Sequence, residues 1–392
     1  MNMTASSLAP IKIGVLFSAS GLTANTEQSQ LRATLFAAEE INDAGGINGR
    51  RLELIVRDPG SIPSRYATMI EQLIAEEHVR VVVGCYMSST RKAVIPIVER
   101  HNALLLYPTF YEGFEYSRNV IYTGATPNQN SVPLASYMMN HFGSRVFMVG
   151  SDYIYPYESN RIMSDLVFER GGEKLGEVYL PLDAGWESYL GVARKIAEVA
   201  PDFIFSTVVG AGISHLYRAY AEAGMNPYKM PIASLITSET EVAAMGAALG
   251  HGHITAATYF QSVDSALNRR VIAAYRHRFG DAVQTDMCWE AAYFQMHLLA
   301  TAMRITGGDD PNALLNALPG LEIDAPQGRV RIDEQNHHTY LNPRVARLDA
   351  YGQFEILQQS NGWTQPAPFQ ISHTLIAETA GDEGSGRGGD AA

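Results

Sequence analysis

The sequence predicts an α/β fold of two doubly wound parallel-sheet lobes with a ligand cleft between them. Three observations carry the prediction. Strand-like apolar runs alternate with helix-length segments, which means βαβ units and parallel sheets. The alternation restarts at about residue 124 and gives a second series of similar length. No Pro/Gly/Ser-rich linker separates the two series, so several short crossovers join the lobes.

In chain order, Ile11–Ser18 reads as the first strand. Thr26–Ala44 follows with helical apolar spacing (Leu31, Leu35, Ala38, Ile41) and stops at Gly45-Gly46. Leu52–Val56, Val79–Val83 and Ala103–Tyr107 are strands, with helices at Ser64–Glu77 and Thr90–His101 between them. In the second series, helices at Ser131–His141, Glu158–Arg170, Ser188–Ala200, Ser214–Ala223 and Glu239–Leu249 alternate with strands. The strands are Arg145–Val149, Glu177–Leu180, Phe203–Val208, Pro231–Leu235 and Ile254–Phe260. Two helices, Asn268–Phe279 and Met287–Thr306, precede short strands at Arg329–Ile332, Arg344–Asp349 and Phe354–Gln358. The Gly/Ala/acid-rich stretch 376–392 has little to bury and reads as a disordered tail.

At 392 residues and 46% hydrophobic content, the chain can bury a large core without a disulfide or a metal. The net charge of −12 argues against direct nucleic-acid binding, because phosphate neutralisation needs a basic patch. Cys85 and Cys288 form no CxxC and no metal spacing. Residues 1–10 show neither a charged n-region nor an apolar h-region, and no run of about 18 apolar residues occurs. The expected location is therefore cytoplasmic, with no membrane contact.

Ligand crevices in open α/β sheets lie beyond the carboxyl ends of the strands. Here those ends are Gly84-Cys85-Tyr86-Met87-Ser88, Tyr107-Pro108-Thr109-Phe110-Tyr111 and Gly150-Ser151-Asp152-Tyr153-Ile154-Tyr155. They carry Tyr, Ser and Thr and few charges. That chemistry suits a small neutral polar molecule better than a phosphate, a metal or a zwitterion.

Several segments resemble a known family. Ala37–Asp58 (AAEEINDAGGINGRRLELIVRD) resembles the first βαβ unit of type I periplasmic-binding-like proteins of the branched-chain amino-acid receptor class. VGCYMSSTRKAVIPIVER, YPTFYEGFEYS, GATPNQNSVPLASYM, GSDYIYPYESNR, FSTVVGAG and DAPQGRVRI are similar to AmiC-type amide sensors, negative regulators of aliphatic amidase operons. The resemblance runs from about Ile11 to about Asp349. It implies one lobe of residues 1–123 plus 253–330, another of 124–252 plus 331–375, and a Venus-flytrap closure on ligand. It also implies an AmiR-type RNA-binding antiterminator as partner, held until a short amide binds. No cofactor is implied, and oligomerisation is left open.

Carried over by motif, the ligand contacts are Tyr86, Ser88, Tyr107, Thr109, Tyr153 and Tyr155, with Phe110, Val209, Gly210 and Thr237 in reach. An amide needs neutral donors and acceptors: hydroxyls, and the free N–H groups of a helix start such as Ser88. Tyrosine rings wall the alkyl group. Other readings stand beside these. Ser88 and Ser89 can be helix caps, Tyr107 the last core residue of a strand, and Thr237 and Ser238 caps of the following helix. Tyr111, Phe114 and Tyr116 read as packing. Phe110 departs from the family pattern, in which a proline follows the YPT segment, and this leaves the pocket's shape open.

The rivals are weaker. Gly210-Ala211-Gly212 follows a strand and precedes a helix, but His215 replaces the third glycine of a dinucleotide fingerprint. Neither GxSxG nor GxxxxGK[ST] occurs, and nothing near Cys85 would lower a thiol pKa, so no enzyme activity is expected. His251, His253, His337 and His338 lack further ligands for a metal. The serious alternative is a transporter's receptor for urea, short amides or branched-chain amino acids.

Overall fold

The computed structural model describes residues 8–370. The expected tail 376–392, and residues 371–375 assigned to the second lobe, lie outside the described residues.

The first series forms β1 (Ile11–Leu16), α1 (Ala24–Asp43), β2 (Leu52–Arg57), α2 (Pro63–Ala75), β3 (Val81–Gly84), α3 (Ser88–Arg100), β4 (Leu104–Tyr107) and β5 (Val120–Tyr122). Its strands pair in parallel in the order β2-β1-β3-β4-β5. β3 and β4 are buried throughout, which is why both read as unbroken apolar runs.

The second series forms α4 (Pro127–His141), β6 (Arg145–Ser151), α5 (Ile154–Glu169), β7 (Glu173–Leu180), α6 (Trp186–Val199), β8 (Phe203–Thr207), α7 (Ala211–Glu222), β9 (Ile232–Ser234), α8 (Glu239–Met245), α9 (Ala247–Gly250) and β10 (Ile254–Ala257). Next come α10 (Ala266–Phe279), α11 (Met287–Thr306), α12 (Pro311–Ala317), β11 (Glu322–Ala325), β12 (Gly328–Ile332), β13 (Thr339–Tyr340), β14 (Arg344–Leu348) and β15 (Phe354–Gln359). The second sheet runs β15-β14-β10-β9-β8-β6-β7, parallel except for β14 and β15. A small antiparallel sheet holds β11, β12 and β13.

The fold is thus the predicted one, two doubly wound parallel-sheet lobes. The chain crosses between them after β5, after β10 and after β13. α11 packs along α1, and a bridge from Tyr122 to His338 ties the small sheet to the first lobe. The boundaries differ from the sequence reading. Residue 253 precedes β10, yet β10 pairs with β9 and β14 of the second sheet. The expected return at 331 falls inside β12. Partners of a four-residue apolar strand are set by tertiary pairing, which no local pattern displays.

Other differences have local causes. α4 begins at Pro127 rather than Ser131, because Pro suits a first turn and the Thr126 N–H donates to Gln129 Oε1 at 3.0 Å. β7 begins at Glu173 rather than Glu177. It is an edge strand, half-buried along most of its length, so charged residues are tolerated at its start. α11 matches the predicted span, capped by Asp286, whose carboxylate accepts from the Cys288 and Trp289 N–H groups at 2.8 Å each.

Candidate functional site

At the end of β3 the backbone turns sharply. Gly84 sits at φ +156°, where an added Cβ would lie 2.4 Å from the Leu16 carbonyl oxygen. Cys85 follows in the left-handed region at φ +69°, an uncommon conformation for a residue with a side chain. This turn lifts Tyr86 above the sheet edge and starts α3 at Ser88. The Cys85 thiol is fully buried, and burial pushes its pKa far up, so it offers no nucleophile.

Tyr86, Ser88, Thr109 and Phe110 from the first lobe face Tyr153, Tyr155, Val209 and Ile236 from the second. Together they line a cavity of about 10 Å³, the room of about one water molecule. Pockets for drug-sized ligands start near ~300 Å³, so even a ligand of a few heavy atoms requires these side chains to part. Among the described residues the wall carries no formally charged side chain.

The hydroxyls have defined roles. Ser88 Oγ donates to Glu112 Oε2 at 2.5 Å and accepts from Arg91 Nη1 at 3.2 Å. Its proton is therefore committed, and toward the cavity it acts as an acceptor. The N-cap of α3 is Met87, which supplies no side-chain cap, so the helix start presents backbone N–H groups. Thr109 Oγ1 donates to the Cys85 carbonyl at 3.3 Å and accepts from Gln30 Nε2 at 3.0 Å. Tyr155 Oη is buried and makes no hydrogen bond in the protein. Burial raises the Tyr155 pKa, and the Ser159 hydroxyl beside it on α5 partly offsets that shift. Phe110 packs edge-on against the Tyr155 ring, 5.8 Å between centroids, joining the lobes across the cleft.

Three expected contact residues lie off this wall. Tyr107 is fully buried behind it. Its hydroxyl donates to the Tyr86 carbonyl at 2.7 Å, and its ring packs 4.7 Å from the Arg91 guanidinium. Thr237 Oγ1 accepts from the Tyr217 hydroxyl at 2.9 Å and donates to Ser234 Oγ at 3.1 Å, so it is committed within the second lobe. Gly210 caps α7 at φ +61° and approaches Leu22 of the first lobe; an added Cβ would lie 2.7 Å from the Leu22 carbonyl oxygen. Ile236, two residues past β9, is on the wall and was missed, because an apolar residue after a strand reads as core.

The sequence profile described as periplasmic binding protein domain matches residues 11–374. The chain belongs to that family. Within it, the chain is 24% identical over 352 residues to the Leu/Ile/Val-binding protein homolog 6 of Brucella abortus, covering 86% of this chain and 88% of that protein. It is 23% identical over 328 residues to the leucine-, isoleucine-, valine-, threonine- and alanine-binding protein of Pseudomonas aeruginosa, covering 83% and 86%. A solute-binding protein of an ABC transporter from Rhodopseudomonas palustris HaA2, in complex with p-hydroxybenzoic acid, superposes with a TM-score of 0.82. It is 22% identical, with 91% of this chain and 98% of that one covered.

Like other members of the periplasmic binding protein family, the chain is a ligand-binding protein with its cavity between two lobes. Here the lobes touch across the cleft mouth. Thr26 Oγ1 of α1 donates to Glu241 Oε1 of α8 at 2.7 Å, and Asn25 Nδ2 donates to the Thr240 carbonyl at 3.3 Å. The Thr240 hydroxyl donates to the Asp286 carboxylate on the first lobe. Among the described residues no helix is long and apolar enough to cross a membrane, and no His/Cys/Asp/Glu group is placed to hold a metal.

Proposed function

We propose that this chain is a cytoplasmic, non-enzymatic sensor of a short aliphatic amide. In this reading it is an AmiC-type negative regulator that sequesters an AmiR-type RNA-binding antiterminator until amide binds. The observation that carries the ligand class is the uncharged wall with an unpartnered Tyr155 hydroxyl and a Ser88 hydroxyl turned acceptor by Glu112. An amide carbonyl takes the Tyr155 proton or the α3 N–H groups, and its NH₂ meets Ser88. A carboxylate would face the Ser88 lone pair with Glu112 behind it, and an ammonium would find no acid on the wall. If amide favours the closed form and the antiterminator the open one, each weakens the other by the same factor.

A second reading is a transporter's solute receptor, favoured by the binding proteins among the relatives. Calorimetry against acetamide, propionamide, butyramide, urea, leucine and p-hydroxybenzoate separates the two. Micromolar binding of a short amide with leucine silent supports the sensor; tight binding of leucine or p-hydroxybenzoate alone abandons the amide. Replacing Tyr155 by Phe gives effects of opposite sign. Ligand-free stability rises by about 1 kcal/mol, because an unsatisfied buried hydroxyl is removed, and amide affinity falls by ~1–3 kcal/mol. Loss of both, in thermal unfolding and calorimetry, would make Tyr155 a structural residue.

A further inference from the structure

A second cavity lies directly behind the first, at the hinge. It has a volume of about 10 Å³, the room of about one water molecule, and its lining is mainly apolar (Pro108, Ala125, Ala256, Ala257, Met287 and Ala291), with Asn130 and Thr258 as the polar members. Ala125 follows β5 at the first crossover, and Ala256 and Ala257 end β10 at the second. Phe110 lines both cavities. Its ring is braced on one side by Tyr155 of the opposite lobe. Its backbone has no room to recede: a Cβ on Gly124 would lie 2.0 Å from the Thr109 carbonyl carbon and 2.3 Å from the Phe110 nitrogen. The ring is thus the movable part of the wall between two spaces, one lined with hydroxyls and one apolar.

We propose that Phe110 is the specificity-determining partition between the polar cavity and an apolar hinge subsite. It limits the ligand to a short acyl group by filling with its ring the space that a longer alkyl or aryl tail would occupy. The chemistry is complementary. A ligand head that hydrogen-bonds at Ser88 and Tyr155 points its tail toward Phe110, and beyond the ring lie mostly methyl groups, a thioether and a proline, with Asn130 and Thr258 at the margin. The assignment of the head as an amide rests on the proposed function; the partition itself does not.

Two measurements test it separately. Calorimetry with acetamide, butyramide, hexanamide and benzamide compares the wild type with Phe110→Ala and the milder Phe110→Leu. The wild type loses affinity beyond butyramide, whereas the variants gain on the order of tenfold or more for hexanamide, as two further buried methylenes imply. An unchanged chain-length limit overturns the specificity role. Xenon pressurisation of crystals reads the cavities without any amide, since dry apolar cavities take up xenon. In the wild type neither water-sized space takes up xenon; in Phe110→Ala xenon density appears in the space that the ring vacates, between Tyr155 and Met287. The same xenon result in both proteins overturns the partition. Wild-type silence toward every amide, with the xenon shift present, retires the amide reading and keeps the partition.

Discussion

Replacing Arg91 by Met is expected to destabilise the ligand-free protein by roughly 3–5 kcal/mol and to weaken ligand binding as well. Arg91 is fully buried on α3, under the cavity floor. Its Nε donates to Glu115 Oε1 at 2.6 Å, Nη2 to Glu112 Oε1 at 3.2 Å and Nη1 to Ser88 Oγ at 3.2 Å. The guanidinium lies over the rings of Tyr107 and Tyr111, 4.7 and 4.5 Å from their centroids. Burial works to raise the Glu115 pKa, and the Arg91 charge and hydrogen bond, helped by Lys92, overcome it and hold the carboxyl below its ordinary value. Without Arg91, Glu112 and Glu115 lose their buried counter-charge, and Ser88 loses the donor that fixes its lone pairs. The packing of a Met side chain cannot restore either. Adding Glu112→Gln removes one uncompensated charge and is expected to recover part of the stability, but not the Ser88 geometry. Urea unfolding and calorimetry check both halves. A single-variant loss under ~1 kcal/mol would show that the network does not hold the floor.

The sequence displayed the site's rim and hid its support. Tyr86, Ser88, Thr109, Tyr153 and Tyr155 were legible because each follows an apolar strand, and crevices form at strand ends. Glu112 and Glu115 were not, since charged residues in an irregular segment look like solvated surface until Arg91 is seen to be buried beside them. Tyr107 carried two readings that no local pattern separates: the side-chain alternation of a strand shows which face a residue takes, not whether the neighbouring loop covers it. Strand β5, at three residues, is too short to show a period, and the pairing of β10 with β14 joins residues 254 and 347, a relation invisible in either segment alone. The hinge cavity comes from four separated stretches and had no signal beyond the unexpected Phe110.

Stability is expected to fall as pH rises from about 6.5 to 8.5, with buried carboxyls as the cause. Burial pushes the Glu239 pKa up to about 8, with Gln261's backbone N–H as a partial offset; Oε2 of Glu239 has no hydrogen-bond partner. Burial likewise pushes Glu290 up to about 8 and Glu27 up to about 7, and raises Glu241 and Asp286. An acid whose folded pKa lies above its unfolded value contributes stability that is fully present below the ordinary value near 4.5 and is lost as pH rises through the folded one. Buried histidines act in the other direction. Burial lowers His253 to about 3 and His338 to about 4, so their contribution is present above the ordinary histidine value and lost as pH falls. The two sets oppose each other below about 6.5 and only the acids act above it. Each carboxyl near 8 then removes up to about 1.4 kcal/mol per pH unit. Glu239 opens α8, whose Thr240 and Glu241 make the contacts that close the cleft, so its ionisation should weaken ligand affinity over the same window. Thermal unfolding and calorimetry at pH 6.5, 7.5 and 8.5, with wild type and Glu239→Gln, test both effects. The variant should show a shallower loss of stability and of affinity. Parallel slopes in the two proteins would clear Glu239 of the pH dependence and leave Glu290 and Glu27 to account for it.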